Sequence, residues 1–253
     1  MPLVELVVLG SGTAIPHPAR GASGYAVRLA GGVLLLDTGP GSSRRWPAAG
    51  ISGADVRWIA STHYHADHCA DLAAILFAVE VPAAPAPSGL TLIGPAGHAD
   101  FLGRLEGLYP GLAAKRLART VVEIGTAGEP VDLGDLVLSA RQAVHKQPAV
   151  SYRVEAAGRC LVYSGDSDRS EALAELCRDA DVAILDCSMP DGAKVPGHMT
   201  PSECAAIATA AGVRTLVLSH LYPECDGVDV AAQARAGFAG EVHVAYDGMR
   251  LSV

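Results

Sequence analysis

Apolar residues follow two different spacings along the chain, and the two spacings alternate. Short β-branched runs are typical of buried strands, whereas apolar residues three and four positions apart are typical of amphipathic helices. The pattern predicts strands over residues 4–9, 25–29, 33–37, 57–61, 121–124, 137–144, 151–155, 160–164, 182–186 and 215–219, and two more around residues 246–248. It predicts helices over residues 67–79, 98–108, 171–178, 201–211 and 228–238. Residues 81–89, rich in Pro and Ala, are expected to form an irregular surface segment.

The order of these elements indicates an α/β fold. Two β-rich halves follow one another and each closes with helices, which is the pattern of two sheets packed face to face with helices outside. No linker or low-complexity tract divides the halves. We therefore predict a single domain over residues 1–253.

Composition limits the partners that this domain can bind. The chain has 19 Lys and Arg against 27 Asp and Glu, a net charge of −8, so a broad basic face for long RNA or an anionic membrane is not expected. A small anionic substrate held by metal ions remains open. The apolar runs are far shorter than the ~20 residues of a membrane-spanning helix. Six scattered cysteines without a C-x-x-C pair predict reduced, mostly buried thiols in a cytoplasmic protein.

The sharpest chemical feature is the segment His63-Tyr64-His65-Ala66-Asp67-His68, between a predicted strand and a predicted helix. Imidazole and carboxylate groups are the ligands that zinc, iron and manganese take in proteins. Alternate residues of an extended segment point the same way, so His63 and His65 can share one ion. Asp67 and His68 can then face a second ion. A solvated polar loop with Asp67 as a helix cap is the alternative.

Three further polar residues follow predicted strands and weigh against that alternative: His145, Asp166 and His220. Taken singly, each could be an ordinary buried polar residue. Together with the motif they supply five His and two Asp, which is enough for two ions. We assign His63, His65 and His145 to one metal, Asp67, His68 and His220 to the other, and Asp166 to a bridging position. Two ions about 3.5–4 Å apart can share a hydroxide as nucleophile, which predicts hydrolytic chemistry.

This pattern resembles the metallo-β-lactamase superfamily, whose defining H-x-H-x-D-H motif corresponds to residues 63–68. The resemblance covers essentially the whole chain and includes Leu-Leu-Asp-Thr-Gly-Pro-Gly at residues 35–41, where Asp37 matches a structural Asp beside the metal loop. It implies an αββα four-layer sandwich, the metallo-β-lactamase fold, with two divalent ions at one edge. Zinc is the first expectation, and manganese, iron and nickel remain open. Asp166 resembles the ribonuclease Z, phosphodiesterase and glyoxalase II branches more than true β-lactamases.

Two segments resemble the ribonuclease Z-like branch: residues 9–16, Leu-Gly-Ser-Gly-Thr-Ala-Ile-Pro, and residues 197–200, Gly-His-Met-Thr. The histidine of the family's H-x-T segment lies near the leaving group. His198 is therefore the expected general acid or phosphate contact, with Asp67 as the second catalytic residue and Thr200 beside the site. Thr200 also begins a capping box with Pro at the first helical position, which explains that residue without catalysis.

The chain departs from ribonuclease Z enzymes in two places. Those enzymes carry a protruding RNA-binding arm between the third histidine and the bridging Asp, but His145 and Asp166 are only 21 positions apart. The first loop, residues 16–21, also differs from the family pattern. Arg20 in this loop could meet a phosphate and His17 a substrate, although ordinary surface positions are the commoner outcome.

The other His and Tyr residues are more often structural. His98 is expected at the start of an exposed helix, and His243 lies within a terminal strand. Tyr64, Tyr152 and Tyr222 lie beside the ligand motifs, where pocket lining and simple packing are equally good explanations.

The leading hypothesis is a dinuclear metal-dependent hydrolase that acts on a small phosphodiester, such as a cyclic nucleotide. The first alternative is hydrolysis of a lactone, thioester, lactam or aryl sulfate at the same centre, or ribonuclease Z-type cleavage of RNA. A glyoxalase II-like activity is disfavoured because little chain follows His220 to form a helical substrate domain. A non-hydrolytic alternative is a di-iron redox centre or a metal-dependent binding protein. The family resemblance also implies a homodimer.

Overall fold

The computed structural model describes residues 4–146 and 148–253. Its strands are β1 (Glu5–Gly10), β2 (Gly24–Leu29), β3 (Gly32–Thr38), β4 (Val56–Ala60), β5 (Leu90–Gly94), β6 (Arg119–Glu123), β7 (Val131–Asp132), β8 (Val137–Gln142), β9 (Val150–Ala156), β10 (Arg159–Tyr163), β11 (Val182–Asp186), β12 (Thr215–Ser219), β13 (Glu241–Val244) and β14 (Arg250–Ser252). Its helices are α1 (Trp46–Ala49), α2 (Ala66–Cys69), α3 (Asp71–Glu80), α4 (His98–Leu108), α5 (Glu171–Leu176), α6 (Pro201–Ala211) and α7 (Val230–Arg235). Three short 3₁₀ turns cover Ser43–Arg45, Gly53–Asp55 and Pro223–Cys225.

Two seven-stranded sheets form the centre of the fold. The first has the order β14-β1-β2-β3-β4-β5-β6, and the second has the order β13-β12-β11-β10-β9-β8-β7. One apolar core lies between the sheets, and two others lie between each sheet and its helices. This arrangement confirms the predicted α/β sandwich with helices outside.

The continuous apolar runs of the central strands follow from burial on both faces. In β3, Leu34 and Leu36 belong to the core between the sheets, whereas Val33 and Leu35 belong to the core beneath the helices of the first sheet. Successive strand residues point to opposite faces, so a strand covered on both sides is apolar at every position.

The structure differs from the predicted elements in several places. The sequence analysis missed three short elements, which are α1, β5 and the two-residue strand β7. The predicted helix over residues 67–79 is divided into α2 and α3. The two terminal strands do not stay together: β13 pairs with β12, whereas β14 crosses to the first sheet and pairs with β1.

Three buried tyrosines connect the two sheets at one edge. Their hydroxyl groups form these contacts: Tyr25 with Ser219 Oγ at 2.6 Å, Tyr152 with the carbonyl oxygen of Ser61 at 2.7 Å, and Tyr163 with Asp37 Oδ2 at 2.8 Å. Each pair joins a residue of one sheet to a residue at the carboxyl end of a strand in the other. Because a buried phenol needs a hydrogen-bond partner, these contacts set the relative position of the sheets at this edge.

The same edge collects the carboxyl ends of the parallel strands. Strands β3 to β6 run parallel to one another, and so do β10 to β13. β8 shares the direction of β10, because both are antiparallel to β9. Ligands of open α/β sheets bind outside the carboxyl ends of the strands, so this edge is the expected position of a site.

Within the described ranges, no helix combines the length and apolar character that crossing a bilayer requires. All six cysteines are buried and unpaired, as predicted.

Candidate metal centre

The structure brings all seven predicted ligands together at this edge. Each follows the carboxyl end of a strand: His63, His65, Asp67 and His68 after β4, His145 after β8, Asp166 after β10, and His220 after β12. One group with converging ligand atoms is His63, His65, His145 and Asp166, and a second is Asp67, His68 and His220; within each group these atoms lie within 4.8 Å of one another. This division is the one that the sequence analysis proposed.

The Asp166 carboxylate lies between the two groups. Its Oδ1 atom is 3.0 Å from His68 Nε2 and 3.2 Å from His220 Nε2. Its Oδ2 atom is 3.7 Å from the Nε2 atoms of both His63 and His145. Oδ1 is buried and has no partner with hydrogen-bond geometry among the described residues. Burial of a charged oxygen without a partner is unfavourable in free energy, so a cation held between the imidazoles fits this position.

The histidines direct one ring nitrogen inward because the other is hydrogen-bonded on the outside. The outer Nδ1 contacts are His63 to Thr62 Oγ1 at 3.0 Å, His68 to Asp37 Oδ2 at 2.8 Å, His145 to the Gly197 carbonyl at 3.3 Å, and His220 to Ser188 Oγ at 2.9 Å. His65 instead presents Nδ1, which is 3.0 Å from His63 Nε2. Outer contacts of this kind orient imidazole ligands in metal sites, so the donor set fits divalent metal ions.

Asp37 supports the centre from behind, as its resemblance to the family's structural Asp implied. The side chain is fully buried and lies within hydrogen-bond distance of the Thr62 amide (2.7 Å), the Thr62 hydroxyl (2.8 Å), the Tyr163 hydroxyl (2.8 Å) and His68 Nδ1 (2.8 Å). Its backbone has φ = 56°, a left-handed conformation that Asp adopts more readily than most residues. Asp37 therefore holds both the strand end that leads to His63 and the ring of His68.

The charges of the cluster suit cations. Burial raises the pKa values of Asp166 and Asp67, but the neighbouring His220 and His68 outweigh it: the pKa of Asp67 falls to about 2, and that of Asp166 lies well below its usual range. Burial and the charge of His68 lower the pKa of His63 to about 2. At neutral pH both carboxylates are charged and His63 is neutral, as metal binding requires. Burial lowers the pKa values of His68 and His220, but Asp166 and the other neighbouring carboxylates outweigh it and raise the pKa of His220 to about 10, so an ion that binds these two rings displaces their protons.

His198 lies beside the centre and is held by two residues that the sequence analysis missed. Its Nδ1 atom is 2.9 Å from Asp186 Oδ2 and 3.1 Å from Ser188 Oγ. Burial lowers the pKa of His198, but the hydrogen bond and charge of Asp186 outweigh it and raise that pKa. The available signal was the position of Asp186, which ends the apolar strand β11 just as the predicted ligands follow other strands.

Thr200 occupies the N-cap of α6, where its amide donates to Glu203 Oε2 at 3.0 Å. This contact is the capping box that the sequence indicated. The contribution of Thr200 is therefore to begin the helix a short distance after His198.

The first loop is closed by an ion cluster. An Arg20 Nη atom is 2.6 Å from Asp226 Oδ1, and His17 Nε2 is 3.0 Å from Asp226 Oδ2. The charge of Arg20 is thus already balanced by a carboxylate. Tyr222 borders the centre instead: it is half-buried, and its ring centroid lies 6.1 Å from that of His198.

His98 is buried although most of the helix that it begins is exposed or half-exposed, and its contacts are structural, as the sequence analysis expected. The residue does begin α4, but its ring packs over Gly94, where any Cβ would overlap it, and only 1% of the residue is exposed. His98 Nδ1 lies 3.3 Å from the Tyr64 hydroxyl, which donates to the Pro95 carbonyl at 3.1 Å. Tyr64 stacks on Phe101 with ring centroids 4.4 Å apart. These contacts explain Tyr64 by packing behind the metal loop.

His98→Gln is expected to make the fold less sensitive to acid. Burial lowers the pKa of His98 to about 4, below the roughly 6.5 of an unfolded-state histidine. As the pH falls from the unfolded-state pKa to the folded-state pKa, the unfolded chain binds a proton that the folded chain does not. The free energy of unfolding of the wild type therefore drops by at most about 3 kcal/mol. Gln keeps an N–H group near Tyr64 and does not titrate. Urea unfolding in EDTA at neutral and acidic pH measures the difference; parallel losses in both proteins would contradict the expectation.

Comparison with known proteins agrees with this geometry. The family model described as a beta-lactamase superfamily domain matches residues 33–221. Ribonuclease Z from Kineococcus radiotolerans is 31% identical over 302 aligned positions, which cover 96% of this chain and 93% of that protein. The alignment is longer than the 253-residue chain, so this relative carries insertions that the chain lacks.

Two solved structures share the fold over nearly their whole length. The metallo-beta-lactamase fold protein YhfI from Bacillus subtilis superposes with a TM-score of 0.86 at 21% identity, covering 98% of this chain and 99% of that one. The short form of human tRNase Z superposes with a TM-score of 0.81 at 25% identity, with the same coverage. The chain therefore belongs to the metallo-β-lactamase superfamily, in its ribonuclease Z-like branch, and is a metal-dependent hydrolase.

Proposed function

We propose that this protein hydrolyses a small phosphodiester, such as a cyclic nucleotide, at a centre of two divalent ions. The observation that carries the proposal is the compact connection between His145 and Asp166, at a centre whose ligands resemble those of phosphodiester-cleaving enzymes. A compact substrate can reach such a centre without an RNA-binding arm.

That connection consists mainly of one hairpin. Strands β9 and β10 pair from Ala156 with Arg159 to Tyr152 with Tyr163, and both lie within the second sheet. Ala157 and Gly158 form the turn, both with positive φ, as a two-residue hairpin turn requires. In the described residues of this connection, no segment protrudes that could hold a long RNA. With the net charge of −8, this supports a small anionic substrate.

The number and type of ions belong to the same proposal. Two groups of ligands on either side of Asp166 favour two ions. The mixture of imidazole and carboxylate ligands favours zinc, and it also accommodates manganese, iron or nickel. When bound, such ions neutralise charge on the phosphoryl oxygens and lower the pKa of water.

The side chains account for the movement of protons. Hydrolysis forms a P–O bond from water, which releases a proton to solvent, and breaks the P–O bond to the leaving oxygen, which must gain one. Asp67 is ionised and can orient the attacking water by accepting a hydrogen bond. His198, held by Asp186 through Nδ1, has Nε2 available to donate to the leaving oxygen. The products are a phosphomonoester and an alcohol.

The test is turnover of bis(4-nitrophenyl) phosphate and of cyclic nucleotides by protein reconstituted separately with zinc, manganese, iron and nickel. We expect metal-dependent release of nitrophenol and of a nucleoside monophosphate, both stopped by EDTA and restored by metal. Lack of turnover with every metal would reject the phosphodiesterase proposal.

A second candidate is cleavage of precursor tRNA, which is favoured by the relative named ribonuclease Z. The insertions of that relative and the short hairpin of this chain weigh against it. A panel containing precursor tRNA, a lactone, a thioester and an aryl sulfate separates the remaining possibilities, because the largest kcat/KM identifies the preferred bond. Zinc rather than iron in the purified protein would count against a redox role.

A further inference from the structure

An exposed turn, residues 192–196, leads directly to His198. It belongs to the connection between β11 and α6, and all five of its residues are exposed. Four of them are Gly, Ala, Val and Pro, whose side chains form no hydrogen bonds. Lys194 is therefore the one side chain of the turn that can fasten it by hydrogen bonds to the rest of the protein.

Lys194 lies between two carboxylates from different parts of the fold. Its Nζ atom is 2.5 Å from Asp168 Oδ1 and 2.6 Å from Glu203 Oε2. Glu203 is in the first turn of α6, and Asp168 follows the bridging Asp166 by two residues. The three side chains are only 22–34% exposed, so solvent screens the pairs incompletely. Without the ammonium group, the two carboxylates would repel each other.

Asp168 extends this contact to the metal ligands. Its amide donates to the Val144 carbonyl at 3.0 Å, beside His145. Its Oδ2 atom accepts from the Gly197 amide at 3.2 Å, and the Gly197 carbonyl accepts from His145 Nδ1 at 3.3 Å. Gly197 has φ = 89°, a conformation that favours glycine, and a Cβ there would approach His145 Nδ1 to 3.3 Å. The segments that carry His145, Asp166 and His198 thus meet at Asp168.

We infer that Lys194 is a positioning residue: it clamps the 192–196 turn to Asp168 and Glu203 and so fixes His198 for proton delivery to the leaving group. The inference rests on the proposed function for its catalytic part. Lys194 itself does not touch the substrate, because its charge is already engaged by two carboxylates. Its loss is expected to slow the step that needs His198 and to leave the metal ligands in place.

The kinetic test compares two substrates that differ in their need for a proton. Diphenyl phosphate releases a poor leaving group, whereas bis(4-nitrophenyl) phosphate releases a good one that departs without protonation. Lys194→Met should lower kcat about tenfold for diphenyl phosphate and no more than about twofold for the nitrophenyl ester. Lys194→Arg should recover most of the activity, because it restores a cation. The double variant Lys194→Met/His198→Ala should be no slower than His198→Ala alone, because both changes act on one proton transfer.

Equal losses on both substrates, or additive losses in the double variant, would overturn the catalytic part of the inference. Arg104→Met is the matched control, because Arg104 forms an exposed ion pair with Asp100 on α4, a helix that supplies none of the ligands. Its kinetics should equal those of the wild type.

Hydrogen–deuterium exchange tests the clamp independently of turnover. Peptides covering residues 190–199 should exchange faster in Lys194→Met than in the wild type, and Lys194→Arg should restore protection. Unchanged exchange in Lys194→Met would reject the clamp even if the protein is an active phosphodiesterase. Faster exchange together with no phosphodiester turnover by wild-type protein would retain the clamp and reject the proposed function.

Discussion

Asp166→Ala is expected to lose one or both metal ions and to abolish turnover. Asp166 is the residue whose two carboxylate oxygens face the two groups of histidines, with Oδ1 near His68 and His220 and Oδ2 near His63 and His145. Its removal takes a negative charge from both positions at once. Loss of an outer residue typically lowers metal affinity about 10–100-fold, so removal of a carboxylate that faces both groups should cost at least about 100-fold.

Three measurements check this prediction. Metal content per chain after dialysis should fall by one or two equivalents, and kcat for bis(4-nitrophenyl) phosphate should fall to background. The increase in melting temperature on adding zinc should also be much smaller than in the wild type, because an ion stabilises only a fold that binds it. Full metal content with normal turnover would remove Asp166 from the centre.

Two further variants make the result specific. Asp166→Asn has nearly the same volume and keeps one oxygen ligand, so it should fold and retain part of the metal affinity even if the Ala variant folds poorly. Asp100→Ala removes a carboxylate from the exposed face of α4 and should change neither metal content nor turnover.

The convergence of the candidate ligands could be predicted because these residues carry local signals. The motif at residues 63–68 places four candidate ligands in one segment, and His145, Asp166 and His220 each follow an apolar strand. Parallel strands align their carboxyl ends, so residues distant in sequence meet at one edge without any sign of contact between them. Strand position therefore predicted a tertiary arrangement.

Asp186 and His98 show where local signals were insufficient. Asp186 contacts His198 only because the connection between β11 and α6 folds back, with Gly192 and Gly197 both at positive φ. The spacing of residue types along the sequence does not indicate that this connection folds back. His98 begins a helix, a position that is usually solvated, but the absence of a side chain at Gly94 lets its ring pack inside.

Long-range pairing also explains why the positions of the terminal strands were predicted wrongly. The two terminal strands have similar short patterns, and pairing decides their sheets: β13 continues the parallel order beside β12, whereas β14 pairs with the free edge of β1. An edge strand leaves unpaired backbone groups, and β14 satisfies those of β1. The pairing partner of each strand depends on which sheet edge is open in the folded protein, and the local spacing of apolar residues carries no information on that.

His198→Ala is expected to retain the metal ions and to lower kcat by about 10²–10⁴-fold with little change in KM, the range for removal of a positioned general acid. Loss of turnover without loss of metal would distinguish a general acid from a metal ligand. His198 lies close to the ligands, in a group with Asp166, Asp186 and His220 whose ligand atoms are within 4.8 Å of one another. Proximity alone would permit a role as a ligand.

The contacts of His198 favour the acid instead. Its Nδ1 atom is held by Asp186 and Ser188, which fixes the ring and supports a proton on it. Metal analysis and kinetics on the same preparation distinguish the two roles, because loss of metal in His198→Ala would identify a ligand and refute the acid. Asp186→Asn provides the second comparison: it keeps the shape of the side chain but removes the charge that raises the pKa of His198. If His198 is the acid, this variant, assayed at saturating metal, should lower kcat more for diphenyl phosphate than for the nitrophenyl ester, since only the poorer leaving group requires the proton.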